Sequence, residues 1–341
     1  MKSIEEVTND WFPPILIVSK RVGMGNVSVG KAIEEKLFNK GAVHHLIIED
    51  LLPPKAVEED LIRYRFIANN FPFLLTLIYR IPLFYYRKLL REKILRSTHL
   101  DTLKEKIESL GIKSVIGISH RPTFWLSVLK KRYGLDFALC GVLTEFGRTL
   151  GWKYIFWEVV DGYLAYFDKD SLDYDFAPQL KYYKIEPPCR KVFYEVAKNS
   201  GDKNKVVFIA GYWGQVFCAK ALKIINQLLK ELPHLHIIAI CGTNEKLFRK
   251  LTSSFGNNPR VEIYGKVDSI AGFLKQCASI ITKPGFSTIV EAHVARRPIF
   301  LLKGMPVAED HNASYAIKYF GAQWFSKAGF KVWHRSNHES R

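Results

Sequence analysis

Cysteine is sparse in this chain, and the five present (Cys140, Cys189, Cys218, Cys241, Cys277) are scattered, odd in number and never in CxxC spacing. That argues against a zinc site or a disulfide framework and leaves small buried apolar side chains of a reducing compartment. Acidic residues are also in short supply. Thirty-three Asp plus Glu face 50 Lys plus Arg, a net charge of +17, so the chain attracts polyanions: nucleic acid, an anionic membrane or a phosphorylated substrate. No nucleic-acid motif accompanies that charge, so no nucleic-acid partner is expected. The N-terminal MKSIEEVTNDW has no apolar core and is not a secretory signal. No clean run of ~20 apolar residues exists, which argues against a transmembrane helix.

Two phosphate-loop signatures are missing as well. Gly23-Met24-Gly25 is not followed by GK[ST], and the next glycine, Gly30, lies five residues on where a dinucleotide loop needs three. A plain β–α turn and a ligand loop both fit it.

What is present is apolar material in abundance. Hydrophobic residues make up 48% of 341, the mean hydropathy is −0.04, and this length suits two domains rather than one core. The run ILIVS at 15–19 reads as a buried parallel strand, followed by the glycine turn, a helix over 29–39 and a strand at 44–48. Strands at 114–119 and 137–143 flank a helix over 124–133. The alternation restarts near Val206 and runs β-α-β-α through Phe320, with no internal repeat. The reading is α/β: two Rossmann-like doubly wound domains facing across a cleft. The boundaries are 1–175 for the first domain, 176–203 for a charged, proline-bearing linker, and 204–341 for the second.

Residues 61–96 hold eight Lys or Arg and one acid, Glu92, interleaved with aromatic and aliphatic side chains and broken by Pro72, Arg80 and Pro82. The composition suits an interfacial segment on an anionic membrane. The alternative is a helical hairpin packed on the first domain with its basic residues solvated.

Five loops fall at the C-terminal ends of predicted strands in the second half, where open α/β sheets bind ligands. They are Gly211-Tyr-Trp-Gly214-Gln215, Gly242-Thr-Asn244, Gly265-Lys-Val267-Asp268, Lys283-Pro-Gly285-Phe-Ser287-Thr288, and Pro306 to Asn312 with Glu309. Ser287 and Thr288 are expected to cap the helix that carries Glu291. Its amide end suits a diphosphate and Glu291 a pair of ribose hydroxyls. Taken singly, each loop reads better as a capped helix or a tight turn; it is five in register in one half of the chain that point to a ligand edge.

The run GKVDSIAGFLKQCASIITKPGFSTIVEAHVARRPIFLLKGMPVAEDHNA resembles the donor half of glycosyltransferase family 28, whose members include diacylglycerol glycosyltransferases and a peptidoglycan-precursor N-acetylglucosaminyltransferase. SHRP at 119–122 resembles the family's N-terminal half, and LTEFGRTLGW at 143–152 resembles its diacylglycerol branch. The resemblance implies a GT-B fold and transfer of a hexose from a nucleotide sugar, usually a UDP-sugar, to a lipid acceptor. It implies no cofactor and no metal, at the inner face of the cytoplasmic membrane. Carried over by residue, it places the ribose at Glu291 and the diphosphate at Gly285, Ser287 and Thr288. The sugar falls at Glu309 and Asn312, the base near Val267, and the cleft at Gly211 and Gly214, with Gly242 and Asn244 on the same edge. Gly23 and Gly25 form the acceptor-side loop. There are departures. The family's loop histidine is Asn26 here, the expected aspartate is Glu145, and His120 is a further candidate base. The family also continues past its E-x-x-N with helices, whereas WHRSNHESR reads as a polar tail and suggests truncation. A GT-B protein that binds donor and lipid but has lost catalysis is therefore the alternative, alongside a peptidoglycan-precursor N-acetylglucosaminyltransferase-like enzyme and a nucleotide-sugar epimerase.

Overall fold

The computed structural model describes residues 4–7, 11–21, 24–51, 99–146, 152, 155–168, 180–210, 218–304 and 308–339. The basic aromatic segment 61–96, Gly23, Gly211 and Gly214 lie outside them. The chain divides into two compact units, Met1–Arg190 and Lys191–Arg341.

The first unit carries a six-stranded sheet built from β1 (Ile15–Ser19), β2 (Val43–Ile47), β3 (Ser114–Ile118), β4 (Ala138–Val142), β5 (Gly162–Ala165) and β6 (Lys181–Lys184). Their order is β2-β1-β3-β4-β5-β6, with every neighbouring pair parallel. β1 and β3 are buried throughout, which is why their sequences are continuous apolar runs rather than alternating ones. The helices of this unit are α1 (Ile4–Val7), α2 (Gly25–Leu37), α3 (His99–Ser109) and α4 (His120–Tyr133). Both α2 and α4 begin four residues earlier than the apolar periodicity predicts. The residues gained, Gly25 to Ser28 and His120 to Thr123, are the polar loop-like ones that periodicity scores poorly.

Gly117 and Gly141 explain how α4 lies so close to the sheet. A Cβ on Gly117 would meet Thr123, whose hydroxyl reaches the carbonyls of Ser119 (2.8 Å) and Gly117 (3.0 Å). A Cβ on Gly141 would sit 2.9 Å from the Trp152 ring.

The second unit is built from β7 (Asp202–Ile209), β8 (His236–Ile240), β9 (Val261–Tyr264), β10 (Cys277–Thr282), β11 (Ile299–Leu301) and β12 (Gln323–Trp324). Its helices are α5 (Lys191–Val196), α6 (Cys218–Glu231), α7 (Glu245–Phe255), α8 (Ala271–Gln276), α9 (Phe286–Val294), α10 (Ala308–Phe320) and α11 (Lys327–Glu339). The sheet order is β12-β11-β10-β7-β8-β9, all parallel. Counted from β7, that is the 3-2-1-4-5-6 order of dinucleotide-binding folds, with its switch point between β7 and β10.

Two stretches differ from expectation. The 176–203 segment holds β6 of the first sheet and α5 of the second unit. The tail instead forms the end of α11, which buries Phe330 and His334 and sets Phe330 edge-on to Phe300 (centroids 4.8 Å apart). The helix begins ahead of those polar letters and carries an apolar stripe: Phe330 and Trp333 at i, i+3 lie on one helical face. No helix of the described residues is long and apolar enough to cross a membrane.

Candidate active site

In a parallel sheet all strands end on one edge, so the second unit gathers its candidate donor residues there. Gly242 and Asn244 follow β8, Val267 follows β9, and Gly285, Ser287, Thr288 and Glu291 follow β10. Glu309 and Asn312 stand on α10 after β11. At the switch point the Thr282 hydroxyl lies 3.2 Å from the Ile209 carbonyl and 3.2 Å from its neighbour Lys283's, tying the end of β10 to β7.

The loop that leaves β10 is braced from α10. Lys283 Nζ forms an ion pair with Glu309 Oε1, and both side chains are largely buried. Asn312, fully buried, donates from Nδ2 to the Pro284 carbonyl at 3.1 Å. Gly304 leaves room for this brace, since a Cβ there would collide with Glu309 and sit 2.9 Å from Pro284. So the two residues that the resemblance assigns to the sugar also hold the Lys283-Pro284-Gly285 loop in place.

That loop opens α9. Gly285 occupies the N-cap position with extended backbone (φ −71°, ψ 128°), and no side-chain hydroxyl caps the helix. The expected capping by Ser287 and Thr288 is thus corrected. The helix starts at Phe286, so both residues lie inside the first turn, too late to act as caps. The first backbone bond of that turn is Ile289 N–H to Gly285 O (3.1 Å). An N-terminus without a side-chain cap keeps its amides and positive dipole end for an anion. Glu291 sits in the second turn, 7% exposed. Asn244 has a different task. Its Oδ1 accepts from Leu247 N–H at 2.9 Å and caps α7, while Gly242 supplies the left-handed turn before it (φ 63°).

The first unit presents Asn26, His120 and Glu145 at the C-terminal edge of its own sheet, after β1, β3 and β4. Asn26 Nδ2 donates to Ser119 Oγ at 3.3 Å across the β1/β3 switch point. Ser119 is buried with a left-handed φ of 77°, its N–H bonded to the Val142 carbonyl (2.9 Å). Strained non-glycine backbone of this kind persists only where surroundings enforce it, and Thr123 does so here through the Ser119 carbonyl. His120 follows directly. Burial, then the charges of Arg121 and Lys20, push its pKa down to about 3, and Trp152 meets its ring edge-on (6.4 Å). The imidazole is neutral at pH 7. Glu145 lies close enough to Tyr166 that, after burial, its charge helps raise the phenol pKa well above the ordinary value.

Two features of this edge escaped the sequence reading. Glu49, 6% exposed, accepts from the Arg21 backbone N–H at 2.8 Å and so holds the turn after β1. Ser19, His45 and Glu34 form a relay: Ser19 Oγ lies 2.8 Å from His45 Nε2, and His45 Nδ1 lies 3.4 Å from Glu34 Oε2. The order is that of a hydrolytic triad, yet Ser19 is fully buried and a Cβ on Gly30 would sit 2.5 Å from the imidazole. With no room for a substrate, the relay clamps β1, β2 and α2. The Glu49–Arg21 and Ser19–His45 contacts join residues 28 and 26 positions apart, and only the parallel β1–β2 pairing brings them together.

These two Rossmann-like units define the class as the GT-B fold. MurG from Acinetobacter baumannii shares it (TM-score 0.55, 14% identity, 93% of this chain and 87% of that one). So does Os79 from O. sativa in complex with UDP (TM-score 0.60, 12% identity, 92% and 87%). More particularly, the chain is homologous to the processive diacylglycerol beta-glucosyltransferase of Bacillus cereus (strain 03BB102), 27% identical over 326 residues spanning 89% of this chain and 79% of that one. The corresponding protein of Bacillus anthracis (strain A0248) matches to the same extent. No protein-family model matches the chain.

Proposed function

We propose that this protein is a hexosyltransferase that moves a sugar from a nucleotide diphosphate sugar, a UDP-sugar, to a lipid hydroxyl such as that of diacylglycerol. One observation carries the donor half of the reading. The Lys283-Pro284-Gly285 loop, braced by Glu309 and Asn312, opens the N-terminus of α9 at the switch point of a dinucleotide-type sheet. Backbone amides of Phe286, Ser287 and Thr288 hold the diphosphate, Glu291 the ribose, and the backbone at Val267 the base. The leaving diphosphate is then stabilised by amides and helix dipole, with no obligatory metal. Os79 has been seen with UDP, and the curated relatives are diacylglycerol glucosyltransferases, which supports both substrates.

The acceptor hydroxyl attacks the anomeric carbon with inversion and loses its proton to a base on the first unit. Asn26 is excluded, since an amide does not accept a proton at neutral pH. His120, with a pKa of about 3, is available as a neutral ring but is too weak a base to gain much from proton transfer. Glu145 is therefore the base of choice. The protein works at the inner face of the membrane, with residues 61–96 on the anionic surface.

A thermal-shift panel of UDP-, GDP- and TDP-sugars tests the donor assignment. A UDP-sugar should raise the melting temperature most, and Glu291→Ala should abolish the rise. Equal or absent shifts throughout would remove the assignment. Asn26 favours a second reading, a donor- and lipid-binding protein without turnover. Asn26→His separates the two: a large gain from negligible UDP release marks lost chemistry, and measurable wild-type release that the substitution does not raise marks an enzyme that works without that histidine.

A further inference from the structure

The second unit has a groove of about 350 Å³ at the opposite edge of its sheet from the donor loops. Arg296, Arg297 and Pro298, which precede β11, line it with His293, Phe320 and Trp333.

Arg297 is unusual. It is 4% exposed, yet no carboxylate pairs with it among the described residues. Its guanidinium plane is fixed by three carbonyls: Nε donates to Leu274 O (2.7 Å), and Nη2 to Asn199 O (2.5 Å) and Val196 O (3.5 Å). Nη1 has no partner among the described residues. Arginine stays charged at any accessible pH, and a buried charge without a counter-ion is costly. Next to it Arg296, exposed and held at a left-handed φ of 55°, makes no ion pair among the described residues. Both residues line one concave, partly apolar surface. His293, whose pKa burial lowers, stacks flat on Phe320 (4.0 Å, 12°) and adds an aromatic wall instead of a third charge.

The C-terminal ends of α9 and α10 also face this edge, and their partial negative charge opposes an anion. The last carbonyls of α9 are engaged, however. Ala295 N–H bonds to Glu291 O (2.9 Å), Arg296 N–H to His293 O (2.9 Å) and Arg297 N–H to Ala292 O (2.9 Å). Two full positive charges outweigh the partial charges of the two helix ends.

We propose that this groove binds an oxyanion, a phosphate ester or carboxylate, carried on a small apolar group. The anion sits on Arg297 Nη1 and the Arg296 guanidinium, and the apolar part lies against Phe320, Pro298 and Trp333. The site is distinct from the donor loop. α9 has nine residues, so at about 1.5 Å per residue its two ends stand roughly 13 Å apart.

Phenyl phosphate is the probe, titrated calorimetrically into the full chain with UDP present in excess, and phenol is the neutral control. The expected result is one-to-one binding of phenyl phosphate, none of phenol, and at least a tenfold loss of affinity in both Arg296→Gly and Arg297→Gln. Glycine suits the left-handed backbone at 296, so that variant keeps its fold even if the other does not. Binding of phenol equal to that of phenyl phosphate, wild-type affinity in Arg296→Gly, or heat that vanishes when UDP is added would overturn the proposal. Competition then identifies the source. Monomeric dihexanoyl-phosphatidylglycerol displacing the probe better than glycerol 3-phosphate marks a lipid headgroup, and the reverse marks a soluble phosphate ester. Failure of both to displace it would also count against the site.

Discussion

Asn312→Ala isolates the brace on the donor loop. In the native protein the Asn312 amide and the Pro284 carbonyl are both buried and bonded at 3.1 Å. Truncation removes the donor and leaves the carbonyl buried without this partner, which costs about 1–3 kcal/mol. For a unit of 151 residues (Lys191–Arg341), each kcal/mol lowers the melting temperature by roughly 2–4 °C, so a drop of roughly 2–12 °C is expected. The same loosening unfixes the Gly285 N-cap of α9, and UDP affinity should fall by about tenfold, about 1.4 kcal/mol. Asn312→Asp is the sharper probe: it keeps the shape, but its carboxylate faces the carbonyl with no proton to give, so the loss should exceed that of alanine. Calorimetry gives the transition of the second unit, identified as the one UDP shifts, and isothermal titration gives the affinity. If Asn312→Ala melts within a degree of wild type and binds UDP equally, the loop is not held by this bond and the reasoning fails.

Two further predictions concern the first unit. Gly30→Ala forces a Cβ to within 2.5 Å of His45 Nε2 and should destabilise by about 1–3 kcal/mol as overpacking. Denaturant melts read this directly, and a neutral result would mean that His45 can swing away from Ser19. His120 has its folded pKa depressed to about 3 against about 6.5 unfolded. Between those values the unfolded state binds the extra proton, so stability is full above pH 6.5 and is lost as pH falls toward 3, at roughly 1 kcal/mol per pH unit. His120→Gln should flatten that slope in melts taken from pH 7 to 4, and an unchanged slope would show that His120 is not the group responsible.

Much of the fold was legible because parallel strands buried on both faces are written as apolar runs. ILIVS at β1 and CASIIT at β10 could hardly be anything else. β5 (GYLA) and β6 (KYYK) carry no such signal. β6 lies at the sheet edge, where its lysines are tolerated and the run is no longer continuous. The end of α11 looks like a tail in sequence because its apolar residues are only a narrow stripe among polar ones. The donor loops were readable as motifs, since glycine, proline and a capping residue leave a local trace. The roles inside those motifs were not. That Asn312 and Glu309 brace Lys283-Pro284-Gly285, and that Asn26 meets Ser119, are facts about residues 26 to 93 positions apart, fixed only by the sheet order.

The account's central claim is tested by release of UDP from a UDP-hexose on mixed micelles containing diacylglycerol. It predicts release that requires diacylglycerol, forms a glycosylated lipid in equal amount, and disappears in Glu291→Ala while the variant stays folded. UDP release without diacylglycerol dependence, or undiminished transfer by Glu291→Ala, would contradict it.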